Sequence, residues 1–342
     1  SIWLQSCCVS KHQACRVPWA RSMAYRILAA PRGCLPAFFH IGCFVVLTWQ
    51  LPCVQGELLM REDLDKCAFE LLTVDDRPLP RHFHGVNHFQ HWAMTAILNV
   101  AYAARFHYGY RYVKLNRSAW KDFHPSWGKV FYIRQRLREI ESMGSCVWLF
   151  FLDSDAFVRE FDLPLPVFLA DLANRYKISK GIGAIFTREN SVKSEPLAKN
   201  FVPVCRWLNS GVFLVQPGAS SRQLFDTWIA AGKAVEDDRF RKGSPREQAI
   251  LTELVTPGEY PKARTPDVQL HSPSELLAHV RMLEMNSPWG RYVQHVWSHH
   301  KHRRMVDYHD AMTRLGMVDE DLQLLLDTAR RLTVRWTPDI SE

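Results

Sequence analysis

The stretch Cys146-Val147-Trp148-Leu149-Phe150-Phe151-Leu152-Asp153-Ser154-Asp155 sets an unbroken apolar run directly against two carboxylates. Seven apolar residues without alternation read as a strand covered on both faces, as in sheets flanked by helices on either side. Upstream, Lys129–Glu141 has helical spacing with a basic side and is ended by Gly144-Ser145. Further back, Phe69–Val74 reads as a strand, a Pro/His-rich loop reaches Asn87, His91–Phe106 reads as a helix broken by Gly109, and Tyr110–Leu115 as a strand. Downstream come a helix over Leu165–Tyr176 and strands over Ile182–Phe186 and Val212–Val215. A helix over Ser221–Ala231 follows, with a serine cap and Gly232 as stop. The alternation predicts an α/β layer fold with a mostly parallel central sheet, whose ligands bind beyond the carboxyl ends of the strands. The acidic triplet Asp153-Ser154-Asp155 sits at such an end. No internal repeat interrupts the pattern.

Composition narrows the classes. The 342 residues are 47% apolar and 23% charged, enough for a sizeable core. The formal charge of +8 is concentrated: residues 1–32 carry Lys11, Arg16, Arg21, Arg26 and Arg32 and no acid, which leaves +3 for the rest. That argues against a nucleic-acid-binding face. From Gly33 to Gly56 there is no charged residue. Pro36, His40, Gln50 and Pro52 shrink its clean apolar centre to Ala37–Trp49, short of the ~20 residues that span a bilayer. The segment reads as a signal-anchor or a signal peptide; in either case the preceding positive charges keep the N-terminus cytosolic and direct the remainder to the secretory lumen. Met23 opens a conventional leader, so residues 1–22 are not expected in the mature protein. Six of the nine cysteines lie at or before Cys53. Cys67, Cys146 and Cys205 remain for the soluble part; none has zinc-ligand spacing, and a Cys67–Cys205 disulfide is one pairing open to them. Asn116-Arg117-Ser118 is an N-glycosylation sequon and agrees with a lumenal destination.

Asp153 and Asp155 lie two residues apart in a turning backbone, where both can reach one ion. Carboxylate oxygens suit Mg²⁺ or Mn²⁺, which keep positions open for phosphate oxygens. A bare Asp-x-Asp is more often a solvated turn; its place after a buried strand favours the functional reading. Asn209-Ser210-Gly211 precedes an apolar Val-Phe-Leu-Val run, where Asn209 offers both donor and acceptor to a hydroxyl, or merely forms a strand-entry turn.

Five blocks, in order, resemble glycosyltransferase family 34, which contains fungal Golgi α-galactosyl- and α-mannosyltransferases and plant xyloglucan xylosyltransferases. They are Asn99 with Tyr102-Ala103 and His107-Tyr108-Gly109-Tyr110; His124-Pro125-Ser126-Trp127-Gly128-Lys129 with Arg134; the run through Asp155-Ala156; Leu208-Asn209-Ser210-Gly211; and Glu247-Gln248-Ala249-Ile250-Leu251. The resemblance covers about residues 69 to 304 and implies a type II Golgi enzyme. It implies a GT-A fold, Rossmann-like and specialised for nucleotide-diphosphate sugars, and transfer with retention of anomeric configuration using Mn²⁺ or Mg²⁺. It carries over Asp153 and Asp155 as metal ligands and, from Tyr292-Val293-Gln294-His295-Val296-Trp297, His295 as the third. Lys301, with Arg303 and Arg304 behind it, stands where a cation would close over the diphosphate, although a solvated basic run accounts for them as well. Lys129 is a candidate at the nucleotide, with Trp127 beside it or in the core. Glu247 departs from the family's usual Asp-Gln; its carboxylate would face the anomeric carbon, and Gln248 would contact substrate. Asn209 would contact the sugar. Trp207, Trp228, Trp289 and Trp297 are candidate stacking faces or core residues.

The expected organisation is a basic cytosolic tail over 1–32, the membrane-directed segment over 33–56 and a connector over 57–68. The GT-A domain follows over 69–304, then a helical extension over 305–342. The expected partners are a nucleotide-sugar donor, a glycan acceptor and the membrane, with homo- or hetero-oligomers in a Golgi complex. The location is the Golgi membrane, or the ER lumen or outside the cell if the segment is cleaved. Two rivals stand beside this reading: a metal-dependent phosphotransferase or hydrolase using the same carboxylates, and a non-catalytic subunit of a transferase complex, which would suit Glu247.

Overall fold

The computed structural model describes residues 57–85, 90–119, 122–188, 208–243, 246–296 and 301–337, without the side chains of residues 119, 301 and 302. The expected membrane-directed segment lies outside the described residues, and among those described no helix is long and apolar enough to cross a membrane. In chain order the elements are α1 (Arg61–Leu64), β1 (Ala68–Asp75), α2 (His91–Arg105), β2 (Gly109–Leu115), α3 (Gly128–Ser142), β3 (Val147–Leu152), β4 (Ala156–Val158), α4 (Leu165–Tyr176) and β5 (Ala184–Arg188). They continue with β6 (Leu208–Val215), α5 (Ala219–Ala234), α6 (Arg239–Lys242), α7 (Arg246–Val255), α8 (Pro273–Leu276), β7 (Leu277–Arg281), α9 (Met282–Met285), β8 (Val293–His295), α10 (Lys301–Arg314), α11 (Asp319–Arg331) and β9 (Thr333–Trp336).

Seven strands form one sheet in the order β7-β5-β6-β3-β1-β2-β9. β6 runs against both its neighbours and the other pairings are parallel, so the sheet is mostly parallel. β3 shows why its sequence has no polar face. Trp148, Phe150 and Leu152 point into the core under α2, α4 and α10, while Leu149 and Phe151 point into the core under α3, α5 and α7. The apolar run thus serves two cores at once and leaves the next residue, Asp153, at the rim.

Local chemistry sets most boundaries. Pro164 and Pro166 open α4, and Lys177, at φ 55°, ends it in the left-handed region. His124 Nδ1 accepts the backbone N–H of Ser126 at 3.1 Å and caps the short 3₁₀ turn Pro125–Trp127 that leads into α3.

Several expectations are corrected. α5 begins at Ala219, before Ser221, whose hydroxyl donates to Gly218 O at 3.0 Å instead of capping. Gly232 lies inside α5 and does not stop it; an added Cβ would fall 2.3 Å from the Trp127 ring, so glycine is what lets that ring pack there. Asn209-Ser210-Gly211 is part of β6, not a turn before it, and β5 starts two residues later than its apolar pattern suggests. The connector carries α1, and Leu59 and Leu64 are buried. The C-terminal extension is not only helical: β9 pairs in parallel with β2, Tyr308 packs tilted against Phe157, and Leu322 and Leu326 lie in the core. Cys67 bonds to Cys146, with Cα atoms 4.7 Å apart, rather than to Cys205, which lies outside the described residues. The register explains the pairing: Ala68 is opposite Val147, so the residues preceding β1 and β3 arrive side by side.

Candidate active site

Beyond Leu152 the backbone turns sharply. Asp153 N donates to Gly211 O at 2.7 Å and Ala156 N donates to Asp153 O at 2.8 Å, so the triplet hangs between β3, β6 and β4. β4 pairs antiparallel with β8, and the register places Ala156 opposite His295. This small sheet delivers a histidine from far along the chain to the carboxylates: His295 Nε2 lies 2.9 Å from Asp155 Oδ1, and ligand atoms of Asp153, Asp155 and His295 all lie within 4.8 Å of one another. Asn99 holds β4 in place, giving Nδ2–H to Ala156 O at 3.1 Å and accepting Val158 N–H at 3.2 Å. Tyr102, from the same block, donates to Leu163 O at 2.7 Å. The first of the five blocks therefore builds the support under the triplet.

The residues fit a divalent cation. Two carboxylates and one imidazole form an oxygen-rich donor set with a borderline nitrogen, suited to Mn²⁺. Gly211 closes the cradle from β6, for a Cβ there would stand 2.3 Å from His295 Cε1 and 2.8 Å from Asp153 Oδ2.

A second charged chain meets the first. Lys129 Nζ, on a buried side chain of α3, lies 3.0 Å from Glu247 Oε1 and 3.4 Å from Asp153 Oδ1. Burial disfavours the ammonium, yet Asp153 and Glu247 hold its pKa above the ordinary value. Glu247 also accepts the Ser126 hydroxyl at 2.6 Å and the Ser210 hydroxyl at 3.2 Å. Desolvation acts against its charge, but Lys129 and Ser126 hold the carboxyl below its usual range. For Asp153 desolvation wins over Lys129 and His295, and its pKa is pushed up to about 6. Asp155 goes the other way: burial is outweighed by His295 and by Arg304, and its pKa is lowered.

The expected site residues are thus largely brought together: Asp153, Asp155 and His295 as one group, Lys129 and Glu247 joined to it, and Asn209 and Gln248 beside it. Gln248 Oε1 accepts Ser210 N–H at 3.2 Å, and Asn209 Oδ1 accepts Gly211 N–H at 2.8 Å. Lys301 begins α10, but its side chain lies outside the described residues, as do Trp207, Trp297, His299 and His300. Arg304 is not part of a solvated run: it is buried and donates to Asp155 Oδ2 at 2.6 Å. Arg303 pairs with Asp307 at 3.2 Å and lies over the exposed Trp289 ring, 5.1 Å from its centroid. Trp127 and Trp228 are core anchors, their indole N–H groups donating to Phe240 O and Glu247 O, both at 2.9 Å. Arg246 enters α7 at φ 60°, a strained conformation for a side-chain-bearing residue, directly before Glu247.

Sequence reasoning missed Arg77 and Asn286. Arg77 binds Asp75 at the end of β1 and reaches Ser154 Oγ at 2.7 Å, tying the triplet's middle residue to the neighbouring strand. Asn286 touches His295 and Asn209. Arg77 sits in a Pro-rich loop and Asn286 before Ser287-Pro288, where both read as turn residues.

A family model described as the galactosyl transferase GMA12/MNN10 family matches residues 84–264, more than half of the chain. The chain belongs to this family. Galactosyl transferase GMA12/MNN10 members are glycosyltransferases, and the expected resemblance and the assignment as a transferase are borne out. The match begins before α2 and ends beyond α7, so it takes in the triplet, Lys129, Asn209, Glu247 and Gln248, while His295 and Arg304 lie after it. Among solved structures, a glycosyltransferase involved in the glycosylation of the major capsid of PBCV-1 is similar at 14% identity and TM-score 0.42, over 71% of this chain and 99% of that one. No curated protein matches the sequence.

Proposed function

We propose that this glycosyltransferase moves a hexose or pentose from a nucleotide-diphosphate sugar to a glycan hydroxyl, with retention and with Mn²⁺ as its cation, on a GT-A domain in the Golgi lumen. The observation that carries the reading is the group Asp153, Asp155 and His295, gathered at the carboxyl end of β3 with Lys129 and Glu247 against it. The domain is taken to extend over 69–304 with the C-terminal elements as its continuation, and the segment 33–56 as its membrane anchor. The disulfide Cys67–Cys146 and the exposed sequon asparagine Asn116 support an oxidising, glycosylating compartment.

Asp153, Asp155 and His295 are the residues to hold the cation, which when bound would neutralise the donor's diphosphate and ease departure of the nucleotide. Arg304 occupies Asp155 Oδ2 and so fixes the direction of Oδ1. Three donors, from Lys129, Ser126 and Ser210, hold the Glu247 carboxylate. So held, it is a poor nucleophile and a steady negative charge, suited to stabilising positive charge on the sugar as its bond to phosphate loosens. The bond from anomeric carbon to diphosphate oxygen breaks, the acceptor oxygen bonds to that carbon on the same face, and the acceptor's proton passes to the departing diphosphate. Gln248 and Asn209 then position the sugar from α7 and β6, and Lys301, at the start of α10, is the cation assigned to the leaving diphosphate. The glycan acceptor and any association within a Golgi complex belong to the same proposal.

The test is release of free nucleotide diphosphate from UDP-galactose, UDP-xylose, UDP-glucose and GDP-mannose, each with Mn²⁺ and with oligosaccharide acceptors. Release from one donor, dependent on acceptor and abolished in Asp153→Ala, is expected. Full activity in that variant would overturn the cation assignment.

A further inference from the structure

Hydrogen-bond direction can be read through the site from a single unambiguous proton. The backbone N–H of Gly211 is a donor only, so the Asn209 side-chain atom 2.8 Å from it is the carbonyl oxygen. That oxygen lies 2.8 Å from the Asn286 amide, and the carbonyl oxygen of Val212, which can only accept, lies 3.4 Å from the same amide atom. Two acceptors face that atom, so it is the Asn286 nitrogen. The Asn286 oxygen therefore turns to His295 Nδ1, at 2.5 Å, and Nδ1 must carry a hydrogen to meet it. With Nδ1 carrying its hydrogen toward Asn286, Nε2, 2.9 Å from Asp155 Oδ1, is the nitrogen left to offer a lone pair when a cation replaces its own hydrogen between them.

We propose that Asn286 is the positioning residue of the cation site: fully buried at the end of α9, it fixes the tautomer and direction of His295 and ties that ligand, through Asn209, to strand β6. A histidine ligand depends on the partner of its other nitrogen, which sets ring orientation and keeps the ligating nitrogen unprotonated. Asp155 sits on the opposite, ligating side of the ring. Asn209 thus has a second duty beside any contact with the sugar. Its oxygen, held by Gly211 N–H, decides which way the Asn286 amide faces. A ligand that pulls Asn209 out of place would disturb His295 two bonds further on.

The inference rests on the reading of Asp153, Asp155 and His295 as a cation site, and two measurements on the full chain separate the two. The first is Mn²⁺ affinity, by titration calorimetry or by electron paramagnetic resonance of free Mn²⁺, for the wild type, Asn286→Ala and Asn286→Asp. Asn286→Ala is expected to bind roughly 10–100-fold more weakly, the usual effect of losing the second partner of a histidine ligand. Asn286→Asp keeps an oxygen toward Nδ1 but turns a second oxygen onto the Asn209 and Val212 carbonyls, so it is expected to bind more weakly than the wild type while retaining hydrogen on Nδ1. Equal affinity in wild type and Asn286→Ala would overturn the proposal. The second measurement is the ¹⁵N spectrum of the His295 ring without metal, in which Nδ1 reports on Asn286 while Nε2 faces the Asp155 carboxylate. Hydrogen on Nδ1 is expected in the wild type, with a shift toward the Nε2–H form in Asn286→Ala. Nδ1 without hydrogen in the wild type would overturn the proposal even if the alanine variant did not fold. A wild type that binds no Mn²⁺ but shows Nδ1–H would sink the cation reading and leave the relay standing.

Discussion

Glu247 and Lys129 settle their energetics between themselves before any substrate arrives. Both side chains are almost wholly buried, and each is the other's close counter-charge. Removing one partner of such a pair leaves a buried charge uncompensated, a cost of about 3–5 kcal/mol, whereas removing both costs far less. Lys129→Met and Glu247→Met are therefore expected to destabilise severely when made singly, and the double variant is expected to fall well short of their sum. Denaturant unfolding of the four proteins would show this, and additive losses would contradict it. The length of the Glu247 side chain lets one carboxylate span Ser126 and Lys129. Asp153 makes the site sensitive to acid. Its folded-state pKa, about 6, lies above its ordinary 3.8, so a proton enters as the pH falls through about 6 and competes with a cation. Asp155 and Glu247, held low, remain anionic there. Transfer rate is expected to drop as the pH falls through about 6, and raising Mn²⁺ to move the midpoint downward. Stability responds with the opposite sign: the folded state binds the extra proton between about 4 and 6, so this group's contribution grows as pH falls. Rate profiles at two Mn²⁺ concentrations, beside unfolding curves without metal, check both signs.

Strand β6 shows what can be read from a segment by itself and what cannot. Its apolar half, Val212 onward, was legible from its run of Val, Phe and Leu; its first half looked like a turn because Asn209, Ser210 and Gly211 are small and polar. They are buried, and the strand tolerates them because Gln248, Glu247 and Asn286 satisfy their polar atoms from two other elements. That compensation is a property of three-dimensional neighbours. β3 and α4 were legible for the converse reason: an apolar run between polar ends, and a helix opened by proline and closed by a left-handed lysine, carry their causes locally. β9 was missed because four residues directly after a helix become a strand only by docking on β2. Asp153 and Asp155 could be found, Asn286 could not, since its meaning depends on β4 and β8 pairing in one register. The closeness of β6 to the ligands gives an expected outcome at this scale. Gly211→Ala would press a methyl into His295 and Asp153, at a cost of about 1–3 kcal/mol in stability. Mn²⁺ affinity is expected to fall roughly tenfold or more, in line with displaced ligands. Calorimetric titration checks it, and unchanged affinity would mean that the strand does not set the ligand geometry.

Across the molecule, the staple and the chemistry sit at opposite ends of the same strands. Cys67 and Cys146 join the beginnings of β1 and β3, while Asp75 and Asp153 stand at or just beyond their carboxyl ends. A bridge closing 79 residues limits the unfolded chain by about 4 kcal/mol in the chain-entropy account. The double variant Cys67→Ser with Cys146→Ser is expected to lose about 2–4 kcal/mol in denaturant unfolding while keeping its Mn²⁺ affinity. A large loss of affinity would show that the two ends of β3 are coupled. The sheet's other dependence is on timing. β2 pairs on one side with β1, its predecessor, and on the other with β9, which the ribosome delivers more than two hundred residues later. Through that interval a nascent chain carries an open strand edge, a template for pairing with any other extended segment nearby. Arg111 and Lys114 on β2 give that edge charge while it waits. Only when Thr333–Trp336 emerges is the β2 edge taken by its own chain, so a message cut short before it would yield a sheet with β2 left adhesive and not a smaller enzyme.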